Sequence, residues 1–239
     1  MTTLTVADTA YSIAAIRADE RELFADPYAK HFALAGAHAR EGTERYLALP
    51  FFRDGIRLRT RYIDDAVREA VRDGFERFVL LGAGFDARAL RMPELGGKPV
   101  VEIDSNEQMA RKREILERAG VVIPASNSYV GVDFARDDLS KALMHGESTF
   151  FVWEGVIGYI DDRAIDASLR FMAGAADRVR VVLTLGPDSI APRAERAGFV
   201  VREEVDLAAV WRRHLAGEPD AGASYSKVAI IETLPSRTG

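Results

Sequence analysis

Beyond about residue 75 this chain changes rhythm, and that change constrains its fold more than any other feature. Short apolar runs at 78–81, 99–103, 129–132, 149–153 and 179–185 alternate with stretches of helical periodicity at 106–118, 137–144 and 162–176. Strands that recur with helices between them must lie parallel, because a parallel neighbour can be reached only through a crossover connection. Two last runs, 198–205 and 225–234, are separated by a short helix and the glycine-rich stretch 217–223, and no helical stretch follows the second. That pattern predicts a closing antiparallel strand. Residues 9–73 read as helical instead. Asp26-Pro27 has the form of an N-cap followed by proline at the first helical position. Further on, Ile56, Ile63, Val67 and Val71 fall on one helical face, and Gly74 ends that helix. The predicted architecture is an open, mostly parallel α/β sheet over residues 76–239 with a helical cap or lid over residues 1–75.

Composition narrows what such a fold can do. With 239 residues, 48% apolar and 29% charged, the chain has enough apolar material for a large core, which excludes whole-chain disorder. A net charge of −5 argues against electrostatic capture of nucleic acid or anionic membrane. No apolar run approaches the roughly 20 residues that span a bilayer, and residues 1–9 lack a secretory pattern, so a cytoplasmic protein is expected. There is no cysteine, and the four histidines at 31, 38, 145 and 214 lack metal-binding spacing, so no metal is expected.

In an open α/β sheet, ligands bind beyond the carboxyl ends of the strands, at the switch point of strand order. After the first run stands Leu81-Gly82-Ala83-Gly84-Phe85-Asp86-Ala87-Arg88, whose glycines let backbone approach a ligand closely. With Ala87 the turn also satisfies the dinucleotide fingerprint. Asp86, however, stands where a pyrophosphate would need donors, and no second mononucleotide half follows, which favours a nucleoside-type ligand over NAD. Asp104, 20 residues beyond Gly84, has the position and spacing of a carboxylate that accepts from ribose hydroxyls; capping of the helix that begins near Asn106 is the other reading, and the two roles can coexist. Asp133 and the Phe134 backbone suit an adenine. Glu154 follows four apolar residues, where a carboxylate is costly unless a cation or several donors meet it. A ligand with a ribose, an adenine and a cationic amino-acid part fits these three acidic strand ends, and S-adenosylmethionine has all three.

Asp133 and Phe134 apart, these residues sit in stretches that resemble the leucine carboxyl methyltransferase family, in particular its bacterial branch of O-methyltransferases acting on small molecules and polyketides. The stretches are Thr9-Ala10-Tyr11 through Arg17-Ala18-Asp19-Glu20, Leu23-Phe24-Ala25-Asp26-Pro27-Tyr28-Ala29 and Arg59-Thr60-Arg61-Tyr62-Ile63-Asp64-Asp65. They continue with the glycine turn, Val101-Glu102-Ile103-Asp104 and Trp153-Glu154-Gly155-Val156-Ile157-Gly158-Tyr159-Ile160. The resemblance implies a class I, Rossmann-like methyltransferase sheet with an N-terminal helical lid. It implies that Arg59, helped by Arg17, holds the methionine carboxylate of S-adenosylmethionine. Gly82, Ala83 and Gly84 would lie under the methionine and ribose, Asp104 would take the ribose, Asp133 and Phe134 the adenine, and Glu154 the neighbourhood of the amino group.

A methyl group on a sulfonium already has a good leaving group, so positioning an acceptor in line supplies most of the catalysis. No histidine falls in a strand-end motif, which suits an acceptor oxygen that is anionic or acidic at neutral pH. No catalytic residue is singled out. Tyr11, Arg61 and Tyr159 are the candidates for lining the acceptor pocket, Arg61 suiting an anionic acceptor. Two other readings remain at this stage: an NAD-dependent oxidoreductase and a non-catalytic S-adenosylmethionine-binding protein.

Overall fold

The computed structural model describes residues 6–37, 50–133, 137 and 139–234. The elements are α1 (Val6–Asp19), α2 (Ala29–Ala35), α3 (Pro50–Arg72), β1 (Arg77–Leu81), α4 (Arg88–Arg91), β2 (Val100–Asp104), α5 (Asn106–Arg118) and β3 (Asn127–Gly131). They continue with β4 (Gly146–Trp153), α6 (Asp162–Ala173), β5 (Ala176–Leu185), α7 (Ala191–Arg196), β6 (Phe199–Asp206), α8 (Leu207–His214) and β7 (Lys227–Thr233). One seven-stranded sheet has the order β3-β2-β1-β4-β5-β7-β6. The strands from β1 to β5 pair in parallel, whereas β7 runs antiparallel between β5 and β6. The predicted antiparallel strand is therefore present, inserted into the sheet.

Strand alternation builds two cores. Phe78 and Leu80 of β1, with Phe150 and Val152 of β4, face a layer formed by α3 and α8. Val79, Leu81, Phe151 and Trp153 face the opposite layer, where Leu169 and Met172 of α6 meet them. The apolar stripe of α3 belongs to the first core: Ile63, Val67 and Ala70 are fully buried against the sheet. Gly74 (φ +80°) closes α3 as expected, its N–H bonding Val71 while the next N–H, of Phe75, reaches back to Ala70.

Two local readings need correction. Helix α2 begins at Ala29, two residues after Pro27, although Asp26 still accepts from the N–H groups of Tyr28 and Ala29 as a cap would. Among the described residues of 137–144 the helical structure is a 3-10 turn at Leu139–Lys141, and β4 starts as early as Gly146. Among the described residues no helix is long and apolar enough to cross a membrane.

Candidate cofactor site

Strand order reverses between β1 and β4, so the site is built from their carboxyl ends. The N–H groups of Gly82 and Ala83 both donate to the Ile103 carbonyl, at 2.7 and 3.1 Å, tying the turn to β2. Gly82 and Gly84 have φ of +71° and +47°, in the left-handed region that favours glycine. A Cβ on Gly82 would overlap a Val156 methyl, whereas one on Gly84 would meet nothing within 4 Å and would project into open space. Asp104 grips this turn: its Oδ2 accepts from the Gly84 N–H at 2.7 Å, and its Oδ1 from the Ser105 N–H at 2.7 Å. Ser105, not Asp104, caps α5 by accepting from the Gln108 N–H. Burial lifts the Asp104 carboxyl above its ordinary pKa despite these two hydrogen bonds.

Glu154 stands one residue past β4. Its Oε1 accepts from Arg17 Nη2 (2.8 Å) and Arg59 Nε (2.9 Å), and its Oε2 from Arg88 Nη1 (2.8 Å). The cost of burying this carboxylate is thus met by three guanidiniums of the chain itself, where the sequence had pointed to a cationic ligand. Burial opposes its ionisation, but the charges of Arg17, Arg88 and Arg59 outweigh that and hold its pKa well below the usual carboxylate range. The ion pairs extend further. Arg88 also binds Asp86 and Asp64, and Arg91 binds Asp64 and Asp26. Four guanidiniums (Arg17, Arg59, Arg88, Arg91) therefore interlock with four carboxylates (Asp26, Asp64, Asp86, Glu154).

A cavity of about 830 Å³ opens over these strand ends, within the range of small-molecule sites. Of the residues singled out in the sequence, Arg17, Arg59, Gly82, Ala83, Gly84, Asp104, Glu154, Tyr11 and Tyr159 all line it. Helix α1 forms one wall, with Tyr11 against Phe85 (ring centroids 4.8 Å apart) and its hydroxyl accepting from Arg111 Nε of α5 at 3.1 Å. Two expected residues are not brought in. Arg61 turns away, to Asp65 (2.8 Å) and the Leu23 carbonyl (3.0 Å), because two residues along a helix rotate a side chain by about 200° from Arg59. Asp133 lies exposed beyond β3 and does not line the cavity. Phe134 falls outside the described residues.

The arrangement suits a ligand with a zwitterionic end and a diol. A neighbouring guanidinium and carboxylate, Arg59 and Glu154, can each meet one charge of an amino acid without creating a net buried charge. Asp104 is a carboxylate beside a turn that a side chain would obstruct. These are the features of a nucleoside linked to an amino acid.

The model of the family described as leucine carboxyl methyltransferase matches residues 5–173, which takes in α1 through α6 and every residue of this site. The chain belongs to the leucine carboxyl methyltransferase family. It is a methyltransferase by that membership, and the oxidoreductase reading falls. An inferred S-adenosyl-L-methionine-dependent methyltransferase of Streptomyces coelicolor is 32% identical over 96% of this chain and 85% of its own. One of Streptomyces avermitilis is 32% identical over 96% and 90%. Among solved structures, magnesium protoporphyrin IX methyltransferase from Synechocystis, with bound S-adenosylhomocysteine, shares the fold at a TM-score of 0.52 and 16% identity. It covers 81% of this chain and 95% of its own.

Three further residues support the site, and the sequence alone does not single them out. Arg88 is fully buried and connects Glu154 to Asp86 and Asp64. Lys112, equally buried, binds Glu102 and the Asp86 carbonyl beneath the turn. Glu20 accepts from the N–H groups of Arg21, Glu22 and Leu23 and pairs with Arg57 of α3, which fixes the α1–α2 connection to the core. The one available signal was negative: charged residues amid apolar neighbours.

Proposed function

We propose that this methyltransferase transfers the methyl group of S-adenosylmethionine to an oxygen atom of a small-molecule acceptor. Its cofactor is S-adenosylmethionine, the compound named for both Streptomyces relatives. The observation that carries the reading is the convergence, on one cavity, of a glycine turn open at Gly84, the Asp104 carboxylate and the Arg59–Glu154 pair. When bound, the cofactor supplies a methyl group on a sulfonium whose leaving group is already activated.

The residues then divide the work. Arg59, with Arg17, binds the carboxylate end, and Glu154 the ammonium beside it. Asp104 accepts from the ribose hydroxyls in a partly dehydrated setting, where charged hydrogen bonds are strong. Gly82, Ala83 and Gly84 allow the backbone to lie against the ligand. Helix α1 acts as the lid, with Tyr11 and Ile13 excluding water on its side of the cavity. Tyr159, half-exposed at the rim beside Val156, lies where an acceptor would enter.

The choice of oxygen rests on how the acids at the strand ends are engaged. Glu154 and Asp86 are held by arginines and Asp104 by two backbone N–H groups, so each is committed to positioning, while Glu107 and Glu114 line the cavity from α5. An acceptor that is itself ionised or readily ionised, a carboxylate, an acidic enol or a phenol, needs only alignment. Calorimetric titration with S-adenosylmethionine, with NAD as the control, tests the cofactor. Incubation with a panel of carboxylates, enols, phenols and amines, read by the mass gain of one methyl group, tests the acceptor. Methylated amines alone would overturn the oxygen assignment. Tight cofactor binding without any methylated product would favour a non-catalytic binder.

A further inference from the structure

Arg88 is fully buried and does not line the cavity, yet its guanidinium joins the segments behind the cavity's amino-acid end. Nε donates to Asp64 Oδ1 of α3 at 2.8 Å and Nη2 to the Thr60 carbonyl at 3.3 Å. Nη1 binds both Asp86, in the glycine turn, and Glu154 Oε2, the latter at 2.8 Å. Glu154 is thus fixed from behind at one oxygen, which leaves the other, Oε1, shared by Arg17 and Arg59 on the cavity wall. A planar fork with five donors can serve acceptors arriving from α3, the turn and β4 together; an ammonium cannot.

We propose that Arg88 is the positioning residue for the amino-acid end of the cofactor: from outside the cavity, it aims Glu154 Oε1 at the cofactor's ammonium group. The proposal rests on reading the cavity as the S-adenosylmethionine site. The charged groups facing Glu154 are Arg17 from α1, Arg59 from α3, and Asp86 and Arg88 from the turn and α4. Three of these favour its ionised form and Asp86 opposes it. Removing Arg88 takes one of three arginine charges from Glu154 and leaves Asp86 with only those of Arg17 and Arg91, and both changes favour protonation of Glu154.

The test uses two ligands. S-adenosylmethionine has the amino-acid end; 5′-deoxy-5′-methylthioadenosine has the same adenosine with a neutral thioether sulfur and lacks that end. Calorimetry near neutral pH on wild type, Arg88→Met, Arg88→Lys and Glu154→Gln compares the two. Arg88→Met is expected to weaken S-adenosylmethionine about tenfold or more, the loss of one buried charged hydrogen-bond partner. Methylthioadenosine should change by less than about twofold on the same argument. Arg88→Lys, which keeps the charge but not the planar fork, should recover only part of the affinity. Equal weakening of both ligands would mean that Arg88 serves folding alone and would overturn the proposal. If Arg88→Met does not fold, Arg88→Lys decides: it must still weaken S-adenosylmethionine selectively, and an unchanged ratio of the two affinities overturns the proposal. Glu154→Gln separates the underlying reading. If it fails to discriminate between the ligands, Glu154 does not serve the amino-acid end, and the reading falls together with the proposal. If it discriminates and the Arg88 variants do not, only the proposal falls.

Discussion

Asp104 and Gly84 stand 20 residues apart in sequence, and the Asp104 carboxylate accepts the Gly84 N–H at 2.7 Å. The group proposed to bind the ribose therefore also holds the glycine turn in shape. Asp104→Asn keeps one acceptor but places an amide N–H₂ toward one of the two backbone donors. S-adenosylmethionine and methylthioadenosine should both weaken about tenfold or more in this variant, since both contain the ribose. Calorimetry with the two ligands checks this, and a selective loss of S-adenosylmethionine would place Asp104 at the wrong end of the cofactor.

The two glycines of the turn should respond differently to a methyl group. Gly82→Ala meets Val156 as well as a positive φ, so it should lower stability by about 1–3 kcal/mol, with part recovered in Gly82→Ala/Val156→Ala. Gly84→Ala meets only the strained φ, about 1 kcal/mol, but its methyl projects into the cavity and should weaken cofactor binding more than stability. Denaturant melts alongside binding titrations separate the two. Equal effects of both variants on both measurements would contradict the geometry.

Glu20 makes acid stability a local matter. Burial alone would raise its carboxyl, but hydrogen bonds from Arg57 and from the N–H groups of Leu23 and Glu22 prevail and hold the pKa at about 2, below the usual 4.5. A depressed carboxyl contributes stability that is fully present above its unfolded pKa and is lost as pH falls through the folded one. Glu20→Gln should therefore cost about 2 kcal/mol near neutrality, with the gap to wild type closing between about pH 4.5 and pH 2. Urea unfolding of the two proteins at several pH values measures the gap. One that stays constant into acid would assign the effect to packing.

Arg61 and Tyr159 offer a contrast on the acceptor side. Arg61→Ala removes a half-buried pair with Asp65 and a bond to the Leu23 carbonyl, both away from the cavity, and should leave cofactor affinity within about twofold of wild type. Tyr159→Ala alters the cavity rim and should raise the KM for an acceptor once one is found, with little change in cofactor Kd. A large loss of cofactor affinity in Arg61→Ala would show that α3 presents a different face in solution.

What could be read from the sequence followed from period and position. Strand ends announce a cavity because backbone geometry fixes where apolar runs stop, so the places of Gly82, Gly84, Asp104 and Glu154 on its wall are legible in the sequence. Arg59 and Arg61 could not be separated in that way. Both belong to one charged stretch, and only the packing of α3 on the sheet decides which of them faces the cavity. Arg88 was missed for a related reason: its partners Asp64, Asp86 and Glu154 come from three segments that adjoin only after folding. Asp133 shows the converse. Its place beyond β3 was foreseen, but β3 is the edge strand, and its end lies away from the switch point at β1 and β4.

The interlocked charges of Arg17, Arg59, Arg88 and Arg91 with Asp26, Asp64, Asp86 and Glu154 sum to zero. A single charge-changing replacement at any of the eight leaves one buried charge without its counterpart. Sequence drift at these positions is therefore expected to be correlated: an arginine lost at one should coincide with an acid lost at a touching one. Chimeras that exchange α1 or α3 between relatives should accordingly tolerate the exchange only where the incoming segment keeps the charges that its partners meet.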